Sequence, residues 1–162
     1  MPSPSDASSV VKKAIEKDSR RAAFRAYMAA LELSHIALEE KRISSRMLDI
    51  GGAYGIHARF FRRNISDLHV DVIDSVPTNE EELIFTGFYD DFNPTEPYDY
   101  VWASHVLEHV PSPTNFFAKL YRDLKIGGWA AITVPPLRHE MTFAHLSLWN
   151  AGLLLVHFIN AG

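Results

Sequence analysis

The spacing of the hydrophobic residues changes once along the chain, at about residue 46. From about Ala7 to Ser45, apolar residues recur at intervals of three and four with no Pro or Gly among them, which predicts helix. Beyond that point they form short, nearly continuous runs, most of which end at Gly, Asp, Ser or Pro. Such runs are typical of strands buried on both faces of a sheet. We therefore predict a helical N-terminal segment or lid over residues 1–45 and a sheet-containing domain over residues 46–162.

Five apolar runs alternate with helical segments in the second part of the chain. The predicted strands are Met47–Ile50, His69–Ile73, Leu83–Phe88, Tyr98–Ser104 and Trp129–Val134, and the predicted helices are Ile56–Asn64, Pro113–Leu124 and Phe143–Ile159. This alternation predicts an α/β fold whose parallel sheet carries helices on both faces. The connections before the third and fourth strands are only about eight and nine residues long, so we expect single turns or loops there instead of full helices.

Composition narrows the class of protein. The chain has 162 residues, 47% of them hydrophobic and 22% charged, which is ordinary for one globular domain. The absence of cysteine excludes disulfides, thiolate metal sites and cysteine nucleophiles. A formal charge of −4 offers no basic surface for nucleic acid, and the apolar stretch Ala151–Ile159 is too short to span a bilayer. With no apolar leader in the first thirty residues, we expect a cytoplasmic protein without nucleic-acid or membrane partners.

A glycine-containing loop follows the first predicted strand. Gly51, Gly52 and Gly55 lie between that strand and a helix, where backbone N–H groups face a ligand, and Asp74 ends the second strand, where a carboxylate suits ribose hydroxyls. The spacing differs from the G-x-G-x-x-G pattern of dinucleotide-binding folds. Asp49, inside the first strand, would sit badly beside a pyrophosphate but well beside an ammonium group. The pattern favours a nucleoside cofactor with a cationic group.

Three segments resemble one known family. Residues 48–55, Leu-Asp-Ile-Gly-Gly-Ala-Tyr-Gly, resemble motif I of the class I S-adenosylmethionine-dependent methyltransferases. Residues 98–110 resemble the strand-four motif of the same superfamily, and residues 124–135 resemble the segment that follows it. The resemblance covers residues 46–162 in the expected order. It implies a Rossmann-like, doubly wound parallel sheet of order 3-2-1-4-5, S-adenosyl-L-methionine as cofactor, and methyltransferase activity.

The resemblance also implies a set of cofactor-binding residues. The glycine loop would pack against the methionine part of the cofactor, Asp49 would order its amino group, and Asp74 would hold the ribose hydroxyls. Residues after the second and third strands would frame the adenine, and those ending the fourth strand would lie beside the sulfonium. The whole set comprises Asp49, Gly51, Gly52, Ala53, Tyr54, Gly55, Asp74, Ser75, Asp91, Phe92, Ser104 and His105.

Methyl transfer also needs a group that removes the acceptor's proton. Histidine suits this task because its pKa lies near neutrality. We expect His105 to be the catalytic base, with His109, His139 and His145 as further candidates. The alternatives are a helix-start capping or packing role for Glu108 and His109, and an ordinary loop role for the two later histidines.

Residues 105–109 also spell H-x-x-E-H, a zinc-protease signature that needs a long helix to place both histidines on one face. Here the motif follows a predicted strand and is followed by Pro111 and Pro113, and the sequence offers no obvious third ligand. We therefore predict no metal site.

Neither a basic stripe nor an Asn-Pro-Pro-aromatic motif follows the fourth strand, so we expect a small polar acceptor, such as a sugar or metabolite hydroxyl or amine. Two other functions stay open. One is an NAD(P)-dependent oxidoreductase, which the glycine spacing and Asp49 disfavour. The other is a catalytically silent binding domain, suggested by Ala53 and Phe88 where the family has Gly and Asp.

In the resembled family, the last helix is followed by an antiparallel hairpin formed by strands six and seven, which this chain lacks. We expect either that the domain over residues 46–162 is C-terminally incomplete, or that the N-terminal helix or another copy of the chain, as in a homo-oligomer, covers the outer edge of strand five, because an open apolar edge favours association.

Overall fold

A computed structural model describes residues 23–76, 83–135, 137 and 144–162. A first helix, α1, spans residues 23–40. The elements that follow are β1 (Ser45–Ile50), α2 (Ile56–Asn64), β2 (Leu68–Asp74), β3 (Leu83–Thr86), β4 (Tyr98–Ser104), α3 (Pro113–Asp123), β5 (Leu124–Thr133) and α4 (Ala151–Ala161). Single 3-10 turns lie at Tyr89–Asp91 and Leu107–His109. No helix within these ranges has the length and apolar character needed to cross a bilayer.

The five strands form one parallel sheet in the order β3-β2-β1-β4-β5, which confirms the predicted fold. The chain reverses its direction of winding between β1 and β4, the point at which ligands bind in sheets of this kind. Ile50 pairs with Ile73 of β2 and with Ala103 of β4, so these three strands end at the same level. The glycine loop, Asp74 and Ser104 therefore share one edge of the sheet.

Each face of the sheet carries its own hydrophobic cluster. On one face, Met47 and Trp102 pack with Phe61 of α2 and with small residues of α1 such as Ala30. On the other face, Phe117 belongs to a cluster formed with α3 and, at its margin, α4. Both clusters are almost fully removed from solvent, and β1 and β4, which lie between them, are buried along nearly their whole length.

The C-terminal helix is shorter than the sequence predicts. We predicted helix from Phe143, a residue outside the described ranges, but α4 begins at Ala151, so the prediction is wrong for residues 145–150. The N–H groups of Leu146 and Ser147 instead donate to the carbonyl oxygen of Glu108, at 2.7 and 3.3 Å. Asn150 then caps α4 by accepting from the N–H of Leu153 at 2.9 Å. The backbone donors of this segment are thus committed to the loop after β4.

Smaller differences follow from local backbone geometry. The first helix ends at residue 40, not at Ser45, because Lys41 takes a φ of +49°. β3 ends at Thr86, since Gly87 donates its N–H to the carbonyl of Asp74. The turn at Tyr89–Asp91 confirms that a short connection replaces a helix before β4. The lid role of residues 1–45 stays a prediction, although α1 itself packs on the sheet.

Two side chains near the end of α1 contact β5, while coverage of the outer edge of β5 stays a prediction. Near the end of α1, Glu40 accepts a hydrogen bond from the indole N–H of Trp129 at 2.6 Å, and Arg42 donates to the carbonyl of Gly127. These contacts tie the chain after α1 to the outer strand. Association between copies of the chain stays a prediction.

Candidate functional site

The glycine loop is shaped by close packing. Gly51 and Gly55 have φ angles of +69° and +67°, which favour glycine. A Cβ at Gly52 would lie 2.3 Å from a methyl carbon of Val72, so a side chain cannot fit there. The N–H groups of Gly51 and Gly52 both donate to the carbonyl of Ile73, at 2.8 and 3.2 Å. The expectation that these N–H groups face a ligand is therefore wrong, because they anchor the loop to β2.

Asp74 joins the loop to the end of β2. Its Oδ2 accepts from the N–H of Ala53 and its Oδ1 from the N–H of Val76, each at 2.8 Å. The carboxylate is partly exposed and still has lone pairs for further donors. This geometry agrees with the position expected of a residue that binds hydroxyl groups.

Asp49 lies buried beneath the loop. Its side chain approaches Gly52 closely, and its Oδ2 has no hydrogen-bond partner among the described residues. Burial raises the pKa of Asp49 to about 8, and the nearby charge of Asp74 adds to this effect, although an N–H of Ala58 opposes it. The neutral carboxyl predominates at pH 7, and a cation placed beside it would favour the charged form.

A cleft of about 420 Å³ opens where β1, β2 and β4 end. Of the residues predicted from the sequence, those that line it are Gly51, Asp74, Ser75, Asp91, His105 and His109. Asp90 adds a further carboxylate, and no Lys or Arg is among the described residues of the lining. The cleft is therefore acidic, as a cationic ligand requires.

Several predicted residues lie away from the cleft wall. Ser104 shares a hydrogen bond with Thr133 at 2.8 Å, and Phe92 is packed in the core. Tyr54 is 59% exposed, and Ala53 forms the loop with a φ of +43°. His139 lies outside the described residues.

His105 ends β4 in a left-handed conformation, with a φ of +56°. Its N–H donates to the carbonyl of Thr133 at 2.9 Å, which fixes this backbone. Its Nδ1 lies 3.2 Å from Oε1 of Glu108, so the other ring nitrogen is the one left for a ligand. Non-glycine residues in this conformation cluster at functional sites.

The turn after β4 brings three side chains together. Ligand atoms of Glu108, His109 and His145 all lie within 4.8 Å of one another. The capping role considered for Glu108 is wrong, because neither oxygen of this buried side chain makes a hydrogen bond to the described residues. The absence of a metal site stays a prediction, although this cluster differs from the H-x-x-E-H pattern, because it holds Glu108 and His145 in place of His105.

A family model for a methyltransferase domain matches residues 19–161. The chain belongs to this methyltransferase domain family. No curated protein sequence matches it.

Solved structures show the same fold for this methyltransferase domain. A Galdieria sulphuraria protein proposed to be a sarcosine dimethylglycine methyltransferase is 22% identical, with a TM-score of 0.69 over 88% of this chain and 63% of its own. The 1,6-didemethyltoxoflavin-N1-methyltransferase of Burkholderia thailandensis, solved with S-adenosylhomocysteine, is 16% identical, with a TM-score of 0.63 over 99% of this chain and 80% of its own. The [4+2]-cyclase SpnF is 19% identical, with a TM-score of 0.62 over 81% of this chain and 57% of its own. The chain thus spans less than two thirds of the length of two of these proteins.

The sequence analysis of this methyltransferase domain did not name His57, and it considered Phe88 only as a departure from the family. Burial lowers the pKa of His57 on α2, and the charge of His105 contributes to this shift, so His57 lies near the end of β4. Phe88 lines the cleft and is 66% exposed. An exposed phenylalanine at the end of a strand was a signal in the sequence, whereas His57 had none.

Proposed function

We propose that the cleft binds S-adenosyl-L-methionine and that the chain transfers its methyl group to a small polar acceptor. The observation that carries the proposal is the acidic cleft at the winding reversal of the sheet, lined by Asp74, Asp90 and Asp91 without a Lys or Arg among its described residues. The bound cofactor would supply a methyl group on a positively charged sulfur. Carboxylates around the cleft favour such a charge over neutral or anionic ligands.

Each part of the site has a role in this proposal. The partly exposed Asp74 accepts the ribose hydroxyls, because its two oxygens retain lone pairs beyond the N–H groups they already bind. Asp49 orders the loop from below and gains its charge when an ammonium group approaches. Residues after β3, among them Asp91, surround the adenine ring of the cofactor.

His105 is the residue we propose as proton acceptor. Glu108 faces its Nδ1, which leaves Nε2 to face an acceptor hydroxyl or amine. The fixed backbone at the end of β4 holds the ring at the cleft wall, and such positioning is the main source of rate in an in-line displacement. His109 lines the same wall, and His139 stays a further candidate.

Binding of S-adenosylhomocysteine tests the cofactor proposal. At 100 times its Kd, the ligand should stabilise the folded chain by about 2.7 kcal/mol, visible as a rise in Tm, whereas NAD should give no rise. Asp74→Asn should weaken binding about tenfold, because it removes one acceptor for the ribose. Asp67→Asn, an exposed aspartate before β2, is the matched control and should bind like the wild type. A rise in Tm with NAD alone would contradict the proposal.

His105→Asn tests the catalytic assignment. Asparagine tolerates the left-handed backbone but does not take up a proton at neutral pH. We expect S-adenosylhomocysteine to bind within about threefold of wild type, while release of this product during turnover falls about 100-fold or more. Full turnover in this variant would show that another residue removes the proton.

A second function also has support. The [4+2]-cyclase SpnF shares this fold, and Ala53 occupies a left-handed position where the resembled family has glycine. A domain that binds the cofactor without methyl transfer fits both observations. Tight binding of S-adenosylhomocysteine with no turnover across a broad screen of small hydroxyl and amine acceptors would favour it.

A further inference from the structure

We propose that Glu108, His109 and His145 bind one divalent cation of the zinc type at the margin of the cleft. One carboxylate and two imidazoles are a common ligand set for zinc, with a fourth position left open. Their ligand atoms lie within 4.8 Å of one another. In a tetrahedral zinc site these atoms are about 3.3 Å apart, so the ligands must close by about 1.5 Å. His109 is exposed and His145 half-buried, so both rings have room to move.

The buried carboxylate is the observation that points to a cation. Glu108 is 1% exposed, and neither of its oxygens has a hydrogen-bond partner among the residues of the described ranges. Nδ1 of His105 lies 3.2 Å from Oε1 without the alignment of a hydrogen bond, which leaves Oε2 with no neighbouring donor there. A carboxylate in this position needs a partner to be charged. A divalent cation between the carboxylate and the two rings provides one.

One backbone contact orients the ring of His109, and backbone hydrogen bonds hold the segment that carries His145 next to Glu108. Nδ1 of His109 lies 2.9 Å from the carbonyl oxygen of Ala144. Because a carbonyl can only accept, Nδ1 carries the proton and Nε2 keeps the lone pair that a metal needs. The N–H groups of Leu146 and Ser147 donate to the carbonyl of Glu108, which fixes the backbone next to His145. The rings of the two histidines are already in contact, with centroids 4.9 Å apart.

The chemistry of the ligands selects the ion. Imidazole suits zinc, cobalt, nickel and copper, whereas magnesium and calcium prefer sites built only from oxygen. His109 also lines the cleft, so the open position of the ion would face the space beside the proposed cofactor. If the proposed methyl transfer is correct, an acceptor oxygen or nitrogen would bind there. Binding of the ion itself does not depend on that function.

Titration with Co²⁺ tests the site without any measurement of activity. The full chain, freed of metal by a chelator, should bind one Co²⁺ and develop visible absorption bands typical of a four-coordinate site. Zn²⁺ should displace the cobalt, while a hundredfold excess of Mg²⁺ should not. His109→Ala and His145→Ala should each weaken binding at least tenfold, and Glu108→Gln should do the same while conserving side-chain shape.

His35→Ala is the matched control, because it removes an exposed histidine from α1, which packs on the other face of the sheet. This variant should bind Co²⁺ like the wild type. The proposal fails if no Co²⁺ binds, if Mg²⁺ competes equally, or if both histidine variants bind with unchanged affinity. The two histidine variants decide the question even if Glu108→Gln does not fold. Loss of S-adenosylhomocysteine binding alongside intact Co²⁺ binding would overturn the proposed function and leave the metal site standing.

Discussion

The buried carboxylates at the two ends of the sheet differ in their hydrogen-bond partners. Where the strands begin, Asp99 accepts from the ammonium group of Lys125 at 2.8 Å and from the N–H of Arg46 at 2.9 Å. Where the strands end, oxygens of Asp49 and Glu108 are buried without a hydrogen-bond partner in the part of the chain that the structure describes. Both ends are acidic in sequence, but among the described residues only the first end has Lys and Arg groups that hydrogen-bond to its buried carboxylates.

The pKa values follow the same division. Burial alone would raise the pKa of Asp71, but hydrogen bonds from Tyr98 and Arg46 outweigh it and hold that pKa below its ordinary value. The pKa of Asp99 is lowered for the same reason. Burial instead raises the pKa of Asp49 to about 8, and the more distant charge of Arg62 and the N–H of Ala58 do not outweigh it.

The difference separates stability from binding. A buried carboxylate with partners adds to the free energy of unfolding, whereas one without partners costs free energy that a ligand can recover. Carboxylates of the second kind are concentrated at functional sites. The end where the strands begin thus supports the fold, whereas the unpartnered carboxylates of the other end fit the cationic ligands that we propose for it.

Asp99→Ala should give the largest effect, by breaking the paired end. It leaves Lys125 and the N–H of Arg46 without their acceptor, so the free energy of unfolding should fall by about 3 kcal/mol. Urea denaturation measures the loss. Glu96→Ala is the control, because this carboxylate is 75% exposed and 3.7 Å from Arg46, and it should change stability by no more than about 0.5 kcal/mol. Equal effects of the two substitutions would remove the distinction between the ends.

Asp49→Asn should change the pH dependence of stability. Between the ordinary pKa of 3.8 and the folded value of about 8, unfolding releases the proton of Asp49. The wild-type free energy of unfolding should therefore fall relative to the variant as pH rises across this range, by at most about 1.4 kcal/mol per pH unit. Urea denaturation at constant ionic strength measures both curves. Parallel curves would show that Asp49 is charged in the folded chain, and Asp67→Asn should run parallel to wild type.

The strands and their order could be predicted from the sequence, whereas the partners of Asp99 at the paired end could not, because they come from distant parts of the chain. The apolar runs, such as Tyr98–Ser104, are long enough to indicate strands that are buried on both faces of the sheet. The order of these strands in the sheet follows from the resemblance of the motifs to a known family. The position of β1, the strand that carries Asp49, could also be predicted, since the glycine loop that follows it marks where the strand ends.

The cluster of Glu108 with His145 could not be predicted, because it depends on a tertiary contact. Residues 145–150 have apolar spacing that suits helix, yet the N–H groups of Leu146 and Ser147 bond to the turn after β4. Local propensity is a weak guide when a distant carbonyl competes for the same donors. The same contact that replaces the helical hydrogen bonds also places His145 beside Glu108.

Ala53→Gly should give the smallest effect and sharpen the comparison at the level of the backbone. Ala53 has a φ of +43°, and this left-handed conformation destabilises the folded chain by about 1–2 kcal/mol when the residue is alanine. Glycine removes this strain but has more conformational freedom in the unfolded chain, which offsets about 0.5–1 kcal/mol of the gain. We expect the free energy of unfolding to rise by about 0.5 kcal/mol. Ala29→Gly, within α1, should lower it by about 1 kcal/mol in the same urea titration. If Ala53→Gly raises the free energy of unfolding, then the backbone as well as the buried carboxylates destabilises the end where ligands are proposed to bind. If both variants lower it equally, only the carboxylates have this effect.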